Sequence, residues 1–127
     1  MSDPGGFVGA DPWPTAIDYD PAAKSLNVTF DSGEIFYLPA EYLRVESPSA
    51  EVQGHNPSEK TIVPGRSRVG IINIDPVGNY AVRLIFDDLH DTGIYSWRYL
   101  HELGRDHATR WGAYLRALAA RGLSREP

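Results

Sequence analysis

The chain has no cysteine among its 127 residues. This excludes disulfides, a thiolate nucleophile, a cysteine-ligated zinc site and an iron–sulfur cluster held by the chain's own thiolates. Long apolar runs are missing too: no window approaches the roughly 18 consecutive apolar residues of a membrane-spanning helix, and the N-terminus lacks the basic-then-apolar pattern of a secretory signal. No membrane partner and a cytoplasmic location are therefore expected. Positive charge is scarce, with 12 Lys+Arg against 17 Asp+Glu and a formal net charge of -5. Nucleic acid is not an expected partner, because phosphate neutralisation needs clustered Lys and Arg. Three catalytic templates are absent as well. There is no Gly-rich phosphate loop ending in Lys-Ser or Lys-Thr and no His-Glu-x-x-His, and Gly65-Arg66-Ser67-Arg68-Val69-Gly70 misses the Gly-x-Ser-x-Gly spacing by one residue.

What is present suits one globular domain, since a chain of this length buries enough surface to form a core without staples. Met1 to Pro14, with three Pro and three Gly, reads as a disordered tail, residues 15–123 as the domain, and 124–127 as a short flexible tail. Period-two runs mark strands at Ile17 and Tyr19, at Leu26, Val28 and Phe30, and from Glu34 to Leu38, the last two joined through Asp31-Ser32-Gly33. Pro39 is placed as the first residue of a short helix over Ala40 to Val45. Ser47 to Arg68, broken by Pro and Gly, reads as one long connection. Val69 to Ile74, Tyr80 to Phe86 and Ile94-Tyr95 read as further strands, with Asp75 to Asn79 linking the first two. Ser96 caps a helix over Trp97 to Leu103 that Gly104 is expected to end. A second helix from Asp106 to about Arg121 closes at Gly122, with an apolar stripe of Ala108, Trp111, Leu115, Leu118 and Ala119. The expected class is α+β: a small, mostly antiparallel β-sheet domain with a short helix after the first hairpin and one or two C-terminal helices packed on it.

Charge is uneven along the chain. Residues 1–97 hold 6 Lys+Arg against 14 Asp+Glu, whereas residues 98–127 hold 6 Arg against 3 acids. The basic segment is either a solvated helix face or a surface for an acidic partner. The densest polar cluster is Asp87-Asp88-Leu89-His90-Asp91-Thr92. Its oxygens and imidazole could bind a divalent cation, or a carboxylate could orient His90 for proton transfer; Asp, Thr and the following Gly93 equally suit a solvated turn. A second candidate is the long connection, where His55, Lys60, Arg66 and Arg68 surround Asn56-Pro57-Ser58 and could hold an anion. Tyr95, Trp97, Tyr99, Trp111 and Tyr114 could form a stacking surface, but their spacing fits core packing better.

Two stretches carry a family resemblance: Leu43 through His55, and Pro76 to Tyr80 continuing through Phe86-Asp87-Asp88-Leu89-His90-Asp91-Thr92-Gly93-Ile94-Tyr95-Ser96-Trp97. They resemble the gamma-butyrobetaine hydroxylase-like N-terminal domain, over roughly Ala16 to Gly104. In that family the domain stands alone in bacteria, precedes 2-oxoglutarate-dependent hydroxylases, or is fused to P-loop ATPases of the iron–sulfur carrier type. The resemblance implies a shared module without the hydroxylase iron site, which belongs to a separate domain. It also implies a structural zinc in the hydroxylase branch, held by a Cys-Pro-Cys-x-x-Cys segment and a later His. Carried onto this sequence, those positions fall on Ser47, Ser49, Val52 and His90, so three of the four ligands are replaced and no cofactor is expected. The expected function is a non-catalytic binding or adaptor domain with a protein partner or a second copy of itself. The candidate binding residues are His55, Asp87, Asp88, His90, Asp91 and Tyr95. A metal-binding accessory role linked to iron–sulfur carrier ATPases, or a small metal-dependent enzyme centred on His90 and its Asp neighbours, is the alternative.

Overall fold

A computed structural model describes residues 11–127. Met1 to Ala10, most of the expected tail, lie outside the described residues. The described residues form six strands and four α-helices: β1 (Pro14–Asp20), β2 (Ser25–Phe30), β3 (Ile35–Pro39), α1 (Ala40–Val45), α2 (Ala50–Gln53), β4 (Ile71–Val77), β5 (Ala81–Phe86), β6 (Gly93–Ser96), α3 (Trp97–Arg105) and α4 (His107–Ala120). A 3-10 turn covers Pro57–Glu59. The strands make two antiparallel three-stranded sheets, ordered β1-β2-β3 and β4-β5-β6. This is the expected α+β domain.

Register explains which side chains enter the core. Leu26, Val28 and Phe30 alternate along β2 and are all at most 2% exposed, and Val28 faces Ile17 on β1 and Phe36 on β3. On β5, Val82, Leu84 and Phe86 point inward while Arg83 stands on the outer face and pairs with Asp75 at 2.9 Å. These two faces, with Leu43 of α1 and Leu100 and Leu103 of α3, form the main core. A second cluster of Val45, Val52, Val63, Tyr114 and Leu118 lies where α4 covers the 52–63 segment.

Several expectations shift for local reasons. Pro39 closes β3 and stands before α1 with an extended ψ of 142°, one residue earlier than its expected helical place. The long connection contains α2 and the 3-10 turn, each started by a side chain that accepts a backbone N–H: Ser49 from Glu51, and Asn56 from Ser58. β4 runs on through Asp75, Pro76 and Val77, because it is an edge strand where a proline leaves no ladder bond unmade. Gly104 does not end α3. The helix continues to Arg105, and the glycine is there because the Phe36 ring packs onto it, so that a Cβ would lie 2.3 Å from a ring carbon.

The buried side of α4 is rotated from the expected stripe. Tyr114 and Leu118 are buried, whereas Ala108, Leu115 and Ala119 face outward. The long, partly apolar Arg110 and Tyr114 cover more core than the alanines do, and their polar ends find partners. Gly122, at φ 64°, ends α4 with Gly122 N donating to Ala119 O and Leu123 N to Leu118 O. Residues 124–127, set down above as a flexible tail, then run beside the 65–67 turn. Gly65 N donates to Ser124 O and Ser67 N to Arg125 O, and Arg125 makes a two-pronged pair with Glu41 at 2.7 and 2.8 Å.

Gly104→Ala is expected to destabilise the domain by about 2 kcal/mol in denaturant unfolding, although alanine is the better helix former by about 1 kcal/mol, because the added methyl must displace the Phe36 ring. A neutral or stabilised variant would show that the α3 to β3 contact is loose.

Candidate functional site: a polar clasp between two segments

The polar cluster of the sequence meets the segment after α1. Ser47 Oγ lies 2.9 Å from His90 Nε2, and His90 Nδ1 lies 3.1 Å from Glu51 Oε1. Thr92 Oγ1 is 2.9 Å from the same Glu51 oxygen and 2.8 Å from Ser49 Oγ. Ser49 N donates to Ser47 Oγ at 3.3 Å, and Glu51 N to Ser49 Oγ at 3.1 Å.

The direction of each bond follows from one group. The Glu51 carboxylate only accepts, so His90 carries its proton on Nδ1 and Thr92 donates its hydroxyl hydrogen to Glu51. His90 Nε2 is then an acceptor for the Ser47 hydroxyl, and Thr92 accepts from Ser49. Each hydroxyl and the imidazole both donates and accepts in the ring, and one Glu51 oxygen accepts twice. Burial pushes the His90 imidazole below its ordinary pKa and the Arg44 guanidinium adds to this, while Glu51, Asp88 and Asp91 pull the other way. The neutral ring, with Nδ1 donating and Nε2 accepting, is the form that burial favours.

A salt-bridge layer adjoins the ring. Asp88 accepts Arg44 Nε at 2.8 Å and Arg66 Nε at 2.7 Å, and its other oxygen accepts the His90 amide at 3.2 Å. Burial raises the Asp88 pKa, but the bonds from Arg44, His90 and Arg66 outweigh it and hold the carboxyl below its ordinary value. Arg44 itself is buried, and its Nη1 has no partner among the described residues.

The structure therefore divides the candidate residues. It unites Ser47, Ser49, Asp88 and His90 in one network. Val52 is 2% exposed and packs in the second core cluster, beside the ring but without a donor. Asp87 and Asp91 are exposed, Asp91 lying 3.7 Å from Arg83. Tyr95 is fully buried and donates its hydroxyl to Leu43 O, so it offers no surface to a partner. His55 is exposed, and its amide donates to Glu59 within its own loop. The expected anion loop is also split: Lys60 turns to Glu46, Arg66 turns to Asp88, and Arg68 lines a different hollow from His55 and Lys60. Among the described residues no three His, Asp or Glu side chains converge as metal ligands.

Sequence reasoning missed Glu51 and Arg44. Both lie inside the Leu43 to His55 stretch, and each faces its partner only because α1 and α2 bring positions about 40 apart in the chain together.

Ser47, His90 and Glu51 stand in the bonding order of a Ser-His-acid triad. The surroundings forbid that chemistry. Ser47 is 0% exposed, and a Cβ on Gly93 would lie 2.6 Å from its Oγ and 3.0 Å from the Tyr95 ring. A nucleophile needs room for a carbonyl and for the oxyanion that forms from it, and here that space is filled by Gly93 and Tyr95.

A family model described as gamma-butyrobetaine hydroxylase-like, N-terminal, matches residues 17–101. The chain belongs to that family. The match spans β1 to the middle of α3 and so contains both arms of the clasp. Two solution NMR structures of proteins are each 44% identical to this gamma-butyrobetaine hydroxylase-like domain. One has a TM-score of 0.80 and covers 93% of both chains; the other has a TM-score of 0.81 and covers 94% of this chain and 89% of its own. A crystal structure of a protein of unknown function of the DUF971 family from Acidithiobacillus ferrooxidans is 36% identical, with a TM-score of 0.64, and covers 75% of this chain and 98% of its own. No curated protein matches.

Acidification should loosen the clasp. An unfolded histidine takes up a proton below about pH 6.5, whereas folded His90, and His107, which burial also shifts downward, resist it, so stability is full above that pH and falls below it. The melting temperature is expected to drop between about pH 7 and pH 5, and to drop less in His90→Gln. An identical pH dependence in that variant would remove His90 from the effect.

Proposed function

We propose that this domain is a non-catalytic docking module, in which the clasp does the structural work that zinc does in the hydroxylase branch and presents one apolar contact to a protein partner. The observation that carries the reading is Leu89. Its side chain is 81% exposed, the highest among the large apolar residues described, and its backbone is left-handed at φ 72°. For a leucine that conformation costs about 1–2 kcal/mol, which glycine would avoid. A strained, solvent-facing leucine gains nothing for the isolated domain, and such strain gathers at places that act on something else. The turn is firm: Leu89 N donates to Phe86 O, Phe86 N to His90 O, and the clasp and Asp88 pairs fix both ends.

The zinc part of the reading rests on donor chemistry. At the positions to which the resemblance carries the four ligands stand two neutral hydroxyls, an apolar Val52 and an imidazole whose Nε2 already accepts from Ser47. That set does not fit a tetrahedral zinc. Ser47→Cys/Ser49→Cys/Val52→Cys is expected to gain one tightly held zinc per chain while the wild type holds none. A triple variant that folds and takes up no metal would argue against these positions being a former metal site.

The fusions known in the family make an iron–sulfur carrier ATPase the first partner to try. Titrating such an ATPase into the labelled domain should shift amides of residues 87–92. Leu89→Gly should be more stable by about 1 kcal/mol and bind at least tenfold more weakly. Binding unchanged in Leu89→Gly, or shifts confined to other faces, would overturn the docking role of this turn.

A further inference from the structure

A cavity of about 280 Å3 lies between the end of α1, the 60–62 segment and α4, and takes no part in the clasp. Its floor is apolar: Val45 and Tyr114 are 1% and 5% exposed, and Ile62 is half-buried beside them. Ala113 and Ala117, four residues apart on one side of α4, leave the space open where longer side chains would fill it.

The rim is charged and built. The Glu46 side chain is 4% exposed, and its carboxylate receives Lys60 Nζ at 3.0 and 3.1 Å and Arg110 Nη1 at 3.0 Å. Two cations thus share one buried anion at the mouth of an apolar hollow. An ammonium has three donors and a guanidinium five, so both keep N–H groups beyond those given to Glu46. Arg110 reaches Glu102 only at 3.7 Å, and its guanidinium carbon sits 5.6 Å from the centre of the Tyr99 ring, which holds it in place.

We propose that this cavity binds a small monocarboxylate with a short alkyl tail. The tail lies on Val45, Ile62 and Tyr114, and the carboxylate takes the spare donors of Lys60 and Arg110. An amine is disfavoured, because Glu46 is already flanked by two cations that would repel it. An alcohol gains the apolar contact alone. The volume equals the liquid share of roughly nine waters, which suits a chain of about six carbons including the carboxylate.

The test is an amide-shift titration of the whole protein with hexanoate, hexanol and hexylamine. Hexanoate should give saturable shifts at Val45, Thr61, Ile62 and Ala113 to Ala117 below about 20 mM, with hexanol at least about tenfold weaker and hexylamine without saturable effect. Lys60→Gln, which leaves the Arg110–Glu46 pair in place, should weaken hexanoate at least about fivefold. Ala117→Leu should abolish its binding by filling the cavity. If Ala117→Leu does not fold, Ala113→Leu replaces it, and the ligand series on the wild type still decides. No saturable hexanoate shifts, equal binding of all three ligands, or unchanged binding in Lys60→Gln would overturn the proposal.

Discussion

The six residues of α1 and the Glu46 that caps its end, every one of them buried, carry three charged side chains into the interior: Glu41, Arg44 and Glu46. A buried charge is tolerated only when it is paired and hydrogen-bonded, because taking an ion out of water costs several kcal/mol. Each of the three therefore draws in a different part of the chain. Glu41 takes Arg125 from the C-terminal segment, Arg44 takes Asp88 from the β5–β6 turn, and Glu46 takes Lys60 and Arg110. The second core cluster closes over this helix where α4 is pulled in by Glu46, and the clasp begins at Ser47, immediately after the helix ends.

The same constraint explains the charge asymmetry of the sequence. The basic C-terminal segment finds acidic groups within the domain itself. Arg125 is drawn to the buried Glu41 of α1 and Arg110 to the Glu46 that caps it, and Arg125 also lies over the Trp111 ring at 5.4 Å. Two buried anions near the surface of a folded sheet domain give the last helix and the residues after it a defined seat.

The clasp is a second consequence. With Arg44 and Arg66 holding Asp88, the turn after β5 is brought against the start of α2, and five groups, three hydroxyls, an imidazole and a carboxylate, meet with donors facing acceptors. Ser47, Ser49 and His90 are buried, so their matched partners rigidify the clasp where an unmatched group would be costly, while Glu51 and Thr92 close it at the solvent edge. Hydrogen bonds thus hold the 47–51 and 88–92 segments together, and Ser47 has the neighbours of a nucleophile but not the space of one.

The sequence by itself determined the strands, the α1 boundaries and the Ser96 cap, because each rests on local rules: alternation along Leu26, Val28 and Phe30, a proline before a helix, a hydroxyl at a first turn. It also marked Ser47, Ser49 and His90 as belonging together through the family motif. Only the tertiary structure decided what these residues do. Glu51 as the acceptor that orients His90, the turning of Lys60 and Arg66 away from an anion loop, the burial of Tyr95, and the use of Gly104 as a seat for Phe36 all depend on groups far apart in the chain. The opening absence of cysteine excluded metal held by thiolates; which hydrogen bonds stand there instead was set by packing, since a hydroxyl or imidazole takes whatever partner the fold brings within about 3 Å.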